Sequence, residues 1–376
     1  MNQKIARFLS ETSPETPCLV VDLDVIAAAY DLLARYLSIA SIYYAVKANP
    51  AAEIVAMLAG KGSRFDVASP AEIALCLANG ATPDRLSFGN TIKKERDIAF
   101  AYQRGIRLFA FDSEAELQKL VRVAPGAKVF CRVLVDCDGA EWPLSKKFGC
   151  APEMAKDLLR KAKDWGMDAY GISFHVGSQQ TDLEQWDRAL AQVSQMFFAL
   201  AEEGVDLRMV NLGGGFPARY RAEVSSIEAY CEAVGRALVR HFGNRMPEVI
   251  IEPGRSMVGD AGVIQSEVVL VSRKAANERK RWVYLDIGKF SGLAETMDES
   301  IKYRLRTSRD GTRVGPVVLA GPTCDSADIL YEKTEYKLPL SLKPGDKVEI
   351  LSTGAYTTTY SSVAFNGFAP LKAICI

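Results

Sequence analysis

The feature that most constrains the fold is a regular alternation of short β-rich runs with helical stretches over the first 258 of 376 residues. Helical patterns such as 69–80, 113–123 and 182–204 separate the runs, and Ser69 has the residue type of an N-cap. The eight runs cover 42–46, 64–68, 85–89, 107–112, 128–135, 170–177, 207–214 and 248–254. An open doubly wound sheet has the same alternation, but eight strand–helix units favour a closed (β/α)8 TIM-like barrel.

The sequence changes character after about residue 258. Strand-like runs separated by turn signals, such as KPGD at 343–346, replace the strand–helix alternation. We therefore predict a barrel domain over 24–258 followed by a mostly β C-terminal domain over 259–376. An early strand-like run lies before the first barrel unit, and we expect segment 1–23 to join the β domain.

Composition argues against several classes of partner. The 46 lysines and arginines balance the 46 aspartates and glutamates, so nothing points to nucleic acid or to an anionic membrane. No apolar run approaches the roughly 20 residues of a membrane span, and the N-terminal residues lack the long apolar segment of a secretory signal. The eight cysteines form no CxxC pair and no metal-like cluster, and without an export signal we interpret them as reduced thiols in the cytoplasm. Two histidines are too few to favour a histidine-built zinc site.

A lysine follows directly on the first barrel run. The residues IYYAV at 42–46 have the character of a buried strand, yet Lys47 comes next. An unpaired ammonium beside a core is unfavourable unless it reaches solvent, finds a partner or loses its proton. Chemistry in a (β/α)8 barrel sits at the carboxyl ends of the strands, so Lys47 would line the barrel mouth beside other ionisable groups.

Polar side chains and glycines follow the other predicted strands at the same end. They are Asp66, Asn90, Asp112, Arg132, His175, Ser178, Gly213, Gly214, Gly215, Glu252 and Arg255. A lone histidine is more often a core residue than a catalyst. The neighbouring Gly177 and Ser178 nevertheless favour a ligand-facing position for His175, although its run is predicted to lie inside the barrel.

The glycine triplet at 213–215 predicts an anion-binding loop. Three glycines let the backbone approach a ligand and direct N–H groups toward it, whereas a tight structural turn is the alternative. The segment also fits the dinucleotide pattern G-x-G-x-x-A over 213–218. We reject that pattern because Pro217 interrupts the position at which a helix should begin.

Glu252 and Arg255 place a carboxylate and a guanidinium after the last predicted barrel strand. Loops after the seventh and eighth strands of such barrels often bind phosphate. A guanidinium pairs bidentately with a phosphate group, which suits Arg255. The alternative is an ordinary ion pair between the two side chains.

Seven motifs together resemble the fold-type-III decarboxylases that use pyridoxal 5′-phosphate, and they occur in that family's order over about 43–368. The motifs are YYAVKANP, FDVAS, HVGSQ, GGGFP, EPGR, GPTCDSAD and GAYT. GGGFP together with CDSAD is most similar to the ornithine/lysine decarboxylase branch. The resemblance implies an alanine racemase-like fold, a barrel plus a β domain, and a head-to-tail homodimer with shared active sites.

The resemblance also implies residue roles. Lys47 would bond covalently to the cofactor, with Asp66 beside it. His175 would stack on the pyridine ring, Glu252 would face the ring nitrogen, and Arg132 would lie near the cofactor. The implied phosphate ligands are Ser178, Gly213, Gly214, Gly215, Arg255 and Tyr356. The implied catalytic residues are Lys47, His175 and Cys324.

The implied substrate contacts lie in the second domain. Cys324 and Asp325, supplied by the partner subunit, would contact the substrate, and Cys324 would protonate the carbanion after carbon dioxide leaves. An acidic residue would recognise the distal ammonium of the substrate. Among Glu295, Asp298 and Glu299 the alignment favours Glu299, where many ornithine enzymes carry the shorter aspartate, so the choice between ornithine and lysine stays open.

The sequence therefore predicts a cytoplasmic carbon–carbon lyase of polyamine biosynthesis. It would convert L-ornithine to putrescine and carbon dioxide, with L-lysine to cadaverine as a second reaction. The alternatives are a decarboxylase of another basic amino acid, arginine or diaminopimelate, and a non-catalytic regulatory homologue. The presence of both Lys47 and Cys324 argues against the regulatory homologue.

Overall fold

The computed structural model describes residues 3–142 and 147–376. The chain forms two compact units. The barrel unit consists of Ala27–Pro217 and Val224–Ser256, and the β unit consists of Met1–Ile26, Ala218–Glu223 and Met257–Ile376. The domain boundaries that we placed from sequence stay a prediction.

Eight parallel strands close into a barrel in the barrel unit, which confirms the predicted fold over an open sheet. They are Ala40–Ala45, Arg64–Val67, Leu86–Phe88, Leu108–Phe111, Lys128–Arg132, Asp168–Ser173, Met209–Asn211 and Glu248–Ile251. Pairing of the last strand with the first, at Val249 and Ala40, closes the ring. Side chains from most strands fill the interior, namely Tyr43, Leu108, Ala110, Phe130, Tyr170, Met209 and Ile250.

Helices alternate with these strands. They are Leu23–Tyr36, Ala52–Gly60, Pro70–Ala78, Glu95–Gln103, Glu114–Val123, Pro152–Asp164, Gln185–Glu202, Ile227–Phe242 and the short Arg255–Val258. Ser69 is the predicted N-cap, since its side chain accepts a hydrogen bond from the Glu72 backbone N–H. None of the helices among the described residues combines the length and hydropathy that a membrane crossing requires.

Several strands end earlier than the sequence pattern predicts. The run 170–177 is a strand only to Ser173, so His175 lies in the following loop and not inside the barrel, contrary to our expectation. The first strand ends at Ala45, and Lys47 lies in a 3₁₀ turn over Val46–Ala48. These predicted bounds were wrong because apolar residues continue past the last ladder hydrogen bond into loops that are themselves buried.

The β unit is built mainly from one sheet. Its strands are Cys18–Val21, Gly262–Ser272, Arg281–Leu285, Leu305–Thr307, Val314–Ala320, Ile329–Pro339, Lys347–Leu351 and Lys372–Cys375. The first of them pairs antiparallel with Gly262–Ser272 and parallel with Lys372–Cys375. The N-terminal helix Gln3–Thr12 packs Ile5 and Leu9 against this part of the sheet.

Short elements complete both units. A two-stranded ribbon pairs Ala140–Trp142 with Ser178–Gln180 in the barrel unit. The remaining 3₁₀ turns are Pro83–Arg85, Gly259–Ala261, Ala294–Glu299, Thr358–Tyr360 and Phe365–Gly367.

A buried ion pair joins the loop after the third barrel strand to a barrel helix. The Lys93 Nζ lies 3.0 Å from the Glu116 Oε1, and the two side chains are 0% and 3% exposed. The same ammonium donates to the carbonyl oxygens of Ala110 at 2.6 Å and Asn90 at 2.7 Å. Burial lowers the pKa of Lys93 to about 8, although the charge of Glu116 acts in the opposite direction.

Removing the carboxylate should therefore destabilise the barrel strongly. We expect Glu116→Gln to lower the free energy of unfolding by about 3 kcal/mol, because Lys93 would remain buried without a countercharge. The double variant Lys93→Met, Glu116→Gln should recover most of that loss. Chemical denaturation followed by circular dichroism measures both effects.

Glu95 provides the matched control, since it pairs with Arg122 at the surface. Glu95→Gln should leave the denaturation midpoint unchanged within error. Equal losses in the two single variants would contradict a special contribution from the buried pair.

Candidate active site

Lys47 and Asp66 form an ion pair at the mouth of the barrel. The Lys47 Nζ donates to the Asp66 Oδ2 at 3.0 Å. The lysine side chain is 49% exposed, whereas the aspartate side chain is 4% exposed. The other oxygen, Asp66 Oδ1, is buried and has no hydrogen-bond partner among residues 3–142 and 147–376. The buried carboxylate thus orients an accessible amine, as the position of Lys47 after the first strand predicts.

Glu252 follows the last barrel strand and lies in the same charged cluster. Its Oε1 accepts a hydrogen bond from the Asn211 side chain, and the Asn211 Oδ1 in turn accepts from the Gly213 N–H at 2.9 Å. Burial and the nearby Asp66 carboxylate raise the pKa of Glu252 to about 7, against the opposing effect of nearby cations. This carboxyl group can therefore hold or release a proton near neutral pH.

His175 contributes a neutral ring to the site. Its Nδ1 accepts a hydrogen bond from the Gly177 N–H at 3.0 Å, so the ring proton is on Nε2. Burial lowers the pKa of His175 well below its usual value, and the positive charges of Arg132 and Lys47 lower it further. An uncharged imidazole with a flat apolar face is suited to stacking on another ring.

Arg132 ends the fifth barrel strand within the same cluster. Burial lowers the pKa of its guanidinium, while the carboxylates of Glu252 and Asp66 oppose that shift. The guanidinium lies 5.6 Å from the centre of the Phe148 ring.

Two further strand-end residues, Asp112 and Asn90, accept hydrogen bonds from backbone N–H groups. Asp112 Oδ2 accepts from the Gly149 N–H at 2.8 Å, and the side chain of Asn90 accepts from the backbone N–H two residues later.

The three glycines after the seventh strand pack against neighbouring backbone. Gly213 and Gly215 have φ angles of +64° and +102°, which side chains rarely permit. A Cβ would come within 2.3 Å of the Phe174 carbonyl oxygen at Gly213, 2.6 Å of the Glu252 carbonyl oxygen at Gly214, and 2.6 Å of the Gly177 carbonyl oxygen at Gly215. The loop therefore requires glycine at each position and is held in place by the backbone around it.

An aromatic cluster packs against the residue that follows this loop and supports it. Phe216 stacks on Trp186 with ring centres 5.0 Å apart, and Tyr230 contacts Trp186 edge-on at 5.7 Å. The Gln180 N–H donates to the Gly215 carbonyl oxygen at 2.9 Å. Sequence reasoning missed this support, because Trp186 and Tyr230 lie on separate helices. The aromatic residue directly after the glycines was the one available signal.

Arg255 and Ser178 lie beside the glycine loop. The Arg255 Nε and Nη2 donate to the Ser178 Oγ at 3.3 and 3.2 Å, and Arg255 is only 4% exposed. Ser178 begins the ribbon strand whose Gln180 bonds to the loop. A buried guanidinium, a hydroxyl and glycine N–H groups form a donor set that fits a phosphate group.

The predicted substrate residues Cys324 and Asp325 lie on an exposed loop of the β unit. The Cys324 thiol and backbone N–H both donate to the Asn366 side chain, at 3.5 and 3.1 Å. Asp325 Oδ1 accepts from the Ala327 N–H at 2.8 Å. Asp328, which is 2% exposed, accepts hydrogen bonds from both the N–H and the hydroxyl of Thr323 and so fixes the loop from inside.

Two further predicted residues also lie in the β unit. Tyr356 has a φ of +54°, and its ring lies 5.9 Å from that of Tyr360. The Glu299 carboxylate accepts from three consecutive backbone N–H groups, two at 2.8 Å and that of Thr334 at 2.6 Å. Burial alone would raise the pKa of Glu299, but the hydrogen bonds from the Thr334 side chain and the backbone lower it to about 2. Its role toward a distal ammonium stays a prediction.

Comparisons with known proteins agree with this arrangement. Residues 23–259 match the family model described as pyridoxal-dependent decarboxylase, pyridoxal binding domain. The lysine/ornithine decarboxylase of Selenomonas ruminantium is 35% identical over 98% of this chain and 91% of its own length. The crystal structure of lysine decarboxylase from the same organism has a TM-score of 0.89 at 33% identity, covering 100% of this chain and 96% of that chain. The lysine/ornithine decarboxylase of Vibrio vulnificus, complexed with cadaverine, has a TM-score of 0.88 at 31% identity, covering 99% and 97%.

The residues at the barrel mouth fit pyridoxal phosphate group by group. An accessible lysine amine suits its aldehyde, a carboxyl group that keeps a proton near neutral pH suits its ring nitrogen, and the glycine loop with Arg255 suits its phosphate. Among the described residues the buried Asp66 Oδ1 has no hydrogen-bond partner, so it is an acceptor that a bound group can satisfy. Given this fit and the family match across the barrel, the chain belongs to the pyridoxal-dependent decarboxylases, and pyridoxal 5′-phosphate is its cofactor.

Proposed function

We propose that the protein is a cytoplasmic homodimer that decarboxylates L-ornithine to putrescine and L-lysine to cadaverine, supplying diamines for polyamine synthesis. The observation that carries the proposal is the Lys47–Asp66 ion pair beside Glu252 at the barrel mouth. The substrate class is supported by the relatives, which are lysine/ornithine decarboxylases, one of them complexed with cadaverine.

Side chains of the barrel unit would hold the cofactor. The Lys47 amine would bond to it covalently, and Asp66 would keep that nitrogen directed into the mouth. Ser178, Arg255 and the glycine loop 213–215 would bind its phosphate, with the Gly213 N–H itself held by the Asn211 side chain. Tyr356 stays a predicted further phosphate ligand. Fixing the phosphate places the reacting carbon in one position, which lowers the entropic part of the barrier.

The bound cofactor supplies an electron sink for the bond between the substrate α-carbon and its carboxylate. Glu252 would keep a proton at the pyridine nitrogen, because its raised pKa lets it share one near neutral pH. The neutral His175 ring would cover one face of the pyridine and exclude water there. Arg132 would balance the negative charge of the two nearby carboxylates.

Cys324 of a second subunit would donate the final proton. The Cys324–Asp325 loop is exposed on a single chain, and Cys324 hydrogen-bonds to Asn366, which lies in a segment with several exposed apolar side chains. These side chains are Tyr360 at 46%, Val363 at 83%, Phe365 at 37% and Phe368 at 41% exposure. An exposed apolar group of this kind is typical of a protein interface, which supports a dimer that buries the loop. The proton would pass from the thiol to the α-carbon, and the thiol would regain a proton from water.

The acidic groups of the β unit would recognise the diamine character of the substrate. Glu299 remains ionised at any pH near neutrality, because hydrogen bonds hold its pKa at about 2. An anion of this kind can pair with the distal ammonium of ornithine or lysine. Asp325, which is exposed, would contact the same substrate from its loop.

The first test concerns the amine at position 47. Lys47→Ala should lose the visible absorbance of lysine-bound cofactor and lower kcat by about a thousandfold or more, because the substitution removes the amine that would bond covalently to the cofactor. Lys61→Ala is the matched control, since Lys61 pairs with Asp31 on the surface at 2.9 Å, and it should behave as wild type. Full turnover with an unchanged absorbance in Lys47→Ala would refute the assignment.

The second test concerns the glycine loop. Gly214→Ala should weaken pyridoxal phosphate binding about tenfold or more, because its methyl group would stand 2.6 Å from the Glu252 carbonyl oxygen and push the loop out of place. Titration of the apoprotein with cofactor, followed by absorbance, measures the dissociation constant. Gly235→Ala in the helix Ile227–Phe242 has nothing within 4 Å of the added carbon and should bind normally. Equal binding by both variants would contradict a packed phosphate loop.

The third test concerns the substrate. We expect kcat/KM for ornithine and lysine to exceed that for arginine and diaminopimelate by about 100-fold, since the guanidinium of arginine is larger than an ammonium and the extra carboxylate of diaminopimelate would be repelled by an anionic site. Chromatography of the released amines separates the four reactions. If arginine or diaminopimelate proves to be the sole good substrate, the substrate assignment is wrong. Binding of cofactor without any turnover would identify a regulatory homologue.

A further inference from the structure

The Cys324 thiol is tied to a residue 42 positions further along the chain. The Asn366 Oδ1 accepts a hydrogen bond from the Cys324 N–H at 3.1 Å and another from the Cys324 Sγ at 3.5 Å. An amide nitrogen cannot accept from a backbone N–H, so the first contact establishes that the oxygen faces the cysteine. One atom therefore fixes both the backbone and the thiol of Cys324.

The backbone around Asn366 adopts a conformation that serves this contact. Ala364, Asn366 and Gly367 have φ angles of +58°, +52° and +81°. Alanine rarely adopts positive φ, so such a segment persists only where its surroundings impose it.

Phe290 of the β unit holds this segment in place. Its carbonyl oxygen accepts from the Ser362 N–H at 2.7 Å, and its ring lies 5.1 Å from that of Phe365. These contacts anchor the segment immediately before Asn366. The Asn366 side chain therefore reaches the thiol from a backbone that is held in unfavourable positive-φ conformations.

We propose that Asn366 is a positioning residue for the Cys324 thiol in decarboxylation, an inference that rests on the proposed function. A neutral amide oxygen accepts the S–H and sets its direction without adding charge. A carboxylate in that place would disfavour the thiolate that remains when the proton has moved to the substrate α-carbon. An apolar side chain would leave the thiol free to rotate among its rotamers. Asparagine thus orients the Cys324 thiol without placing a charge beside it.

Two substitutions separate these properties. Asn366→Gly removes the acceptor and suits the positive φ, so it should fold. Asn366→Asp keeps the acceptor and the shape, and adds charge. Asn79→Ala is the matched control, because the Asn79 side-chain amide donates to the Leu75 carbonyl oxygen, four residues earlier in the barrel unit.

The experiment measures two properties of each holoenzyme. The first is the rate at which iodoacetamide alkylates Cys324 as a function of pH, read by peptide mass spectrometry, in which the thiolate displaces iodide. Cys375, a partly buried thiol in the same unit, is an internal reference. The second is kcat and KM for the better of the two diamino acids.

Asn366→Asp should raise the midpoint of the Cys324 alkylation profile by about one pH unit, because a nearby carboxylate opposes thiolate formation. Asn366→Gly should lower kcat about tenfold, with KM within about twofold, because the proton donor is misdirected while substrate binding is not. The Cys375 profile and the Asn79→Ala enzyme should match wild type.

An unchanged Cys324 profile in Asn366→Asp, or wild-type kcat in Asn366→Gly, would overturn the inference. Cys324→Ala separates this failure from that of the proposed function. If Cys324→Ala retains full kcat, the thiol is not the proton donor, and the proposed function fails at that step whatever the alkylation profiles show. If Cys324→Ala is impaired while both Asn366 variants behave as wild type, only the role of Asn366 is wrong.

Discussion

The site depends on two buried carboxylates that lie close to each other at the end of a closed barrel. Burial disfavours the charge of Glu252, and repulsion from the Asp66 carboxylate adds to this effect, so the pKa of Glu252 rises to about 7. Lys47 and Arg132 offset part of the negative charge, and the Asn211 amide bonds to the Glu252 oxygen. Barrel closure imposes this proximity, because it brings the carboxyl ends of all eight strands to one mouth.

The precision of the glycine loop 213–215 comes from residues that would never touch a ligand bound there. Each glycine of 213–215 lies against a backbone carbonyl, so the loop has little freedom to shift. Phe216 is held by Trp186 and Tyr230, which transfers the rigidity of two helices to the loop. A binding loop made of glycine would otherwise be the most flexible part of the site, so the aromatic support offsets the conformational freedom that glycine introduces.

The sequence was sufficient for the barrel and for the residues at its strand ends, but not for the side chains that support them. The hydrophobic period and the residue types indicate which face of each helix or strand is buried. Parallel strands bring their carboxyl ends together, so Lys47 and Asp66 could be placed in one site. Asn211 and Asn366 were missed because their partners, Glu252 and Cys324, lie 41 and 42 residues away. Long-range contacts of this kind leave no local periodicity. His175 was placed inside the barrel because a buried loop carries the same apolar signal as a strand.

Glu252 and Glu299 show how the same side chain acquires opposite properties in the two units. Glu252 is buried near another carboxylate, which disfavours its charge and raises its pKa to about 7. Glu299 accepts hydrogen bonds from the Thr334 side chain and from three backbone N–H groups, which favour its charge and lower its pKa to about 2. Pairs of titratable groups whose surroundings separate their pKa values in this way are suited to different tasks. In the proposed reaction, Glu252 handles a proton on the cofactor and Glu299 remains a fixed anion for a distal ammonium, so chemistry and substrate selection would rest on separate carboxylates.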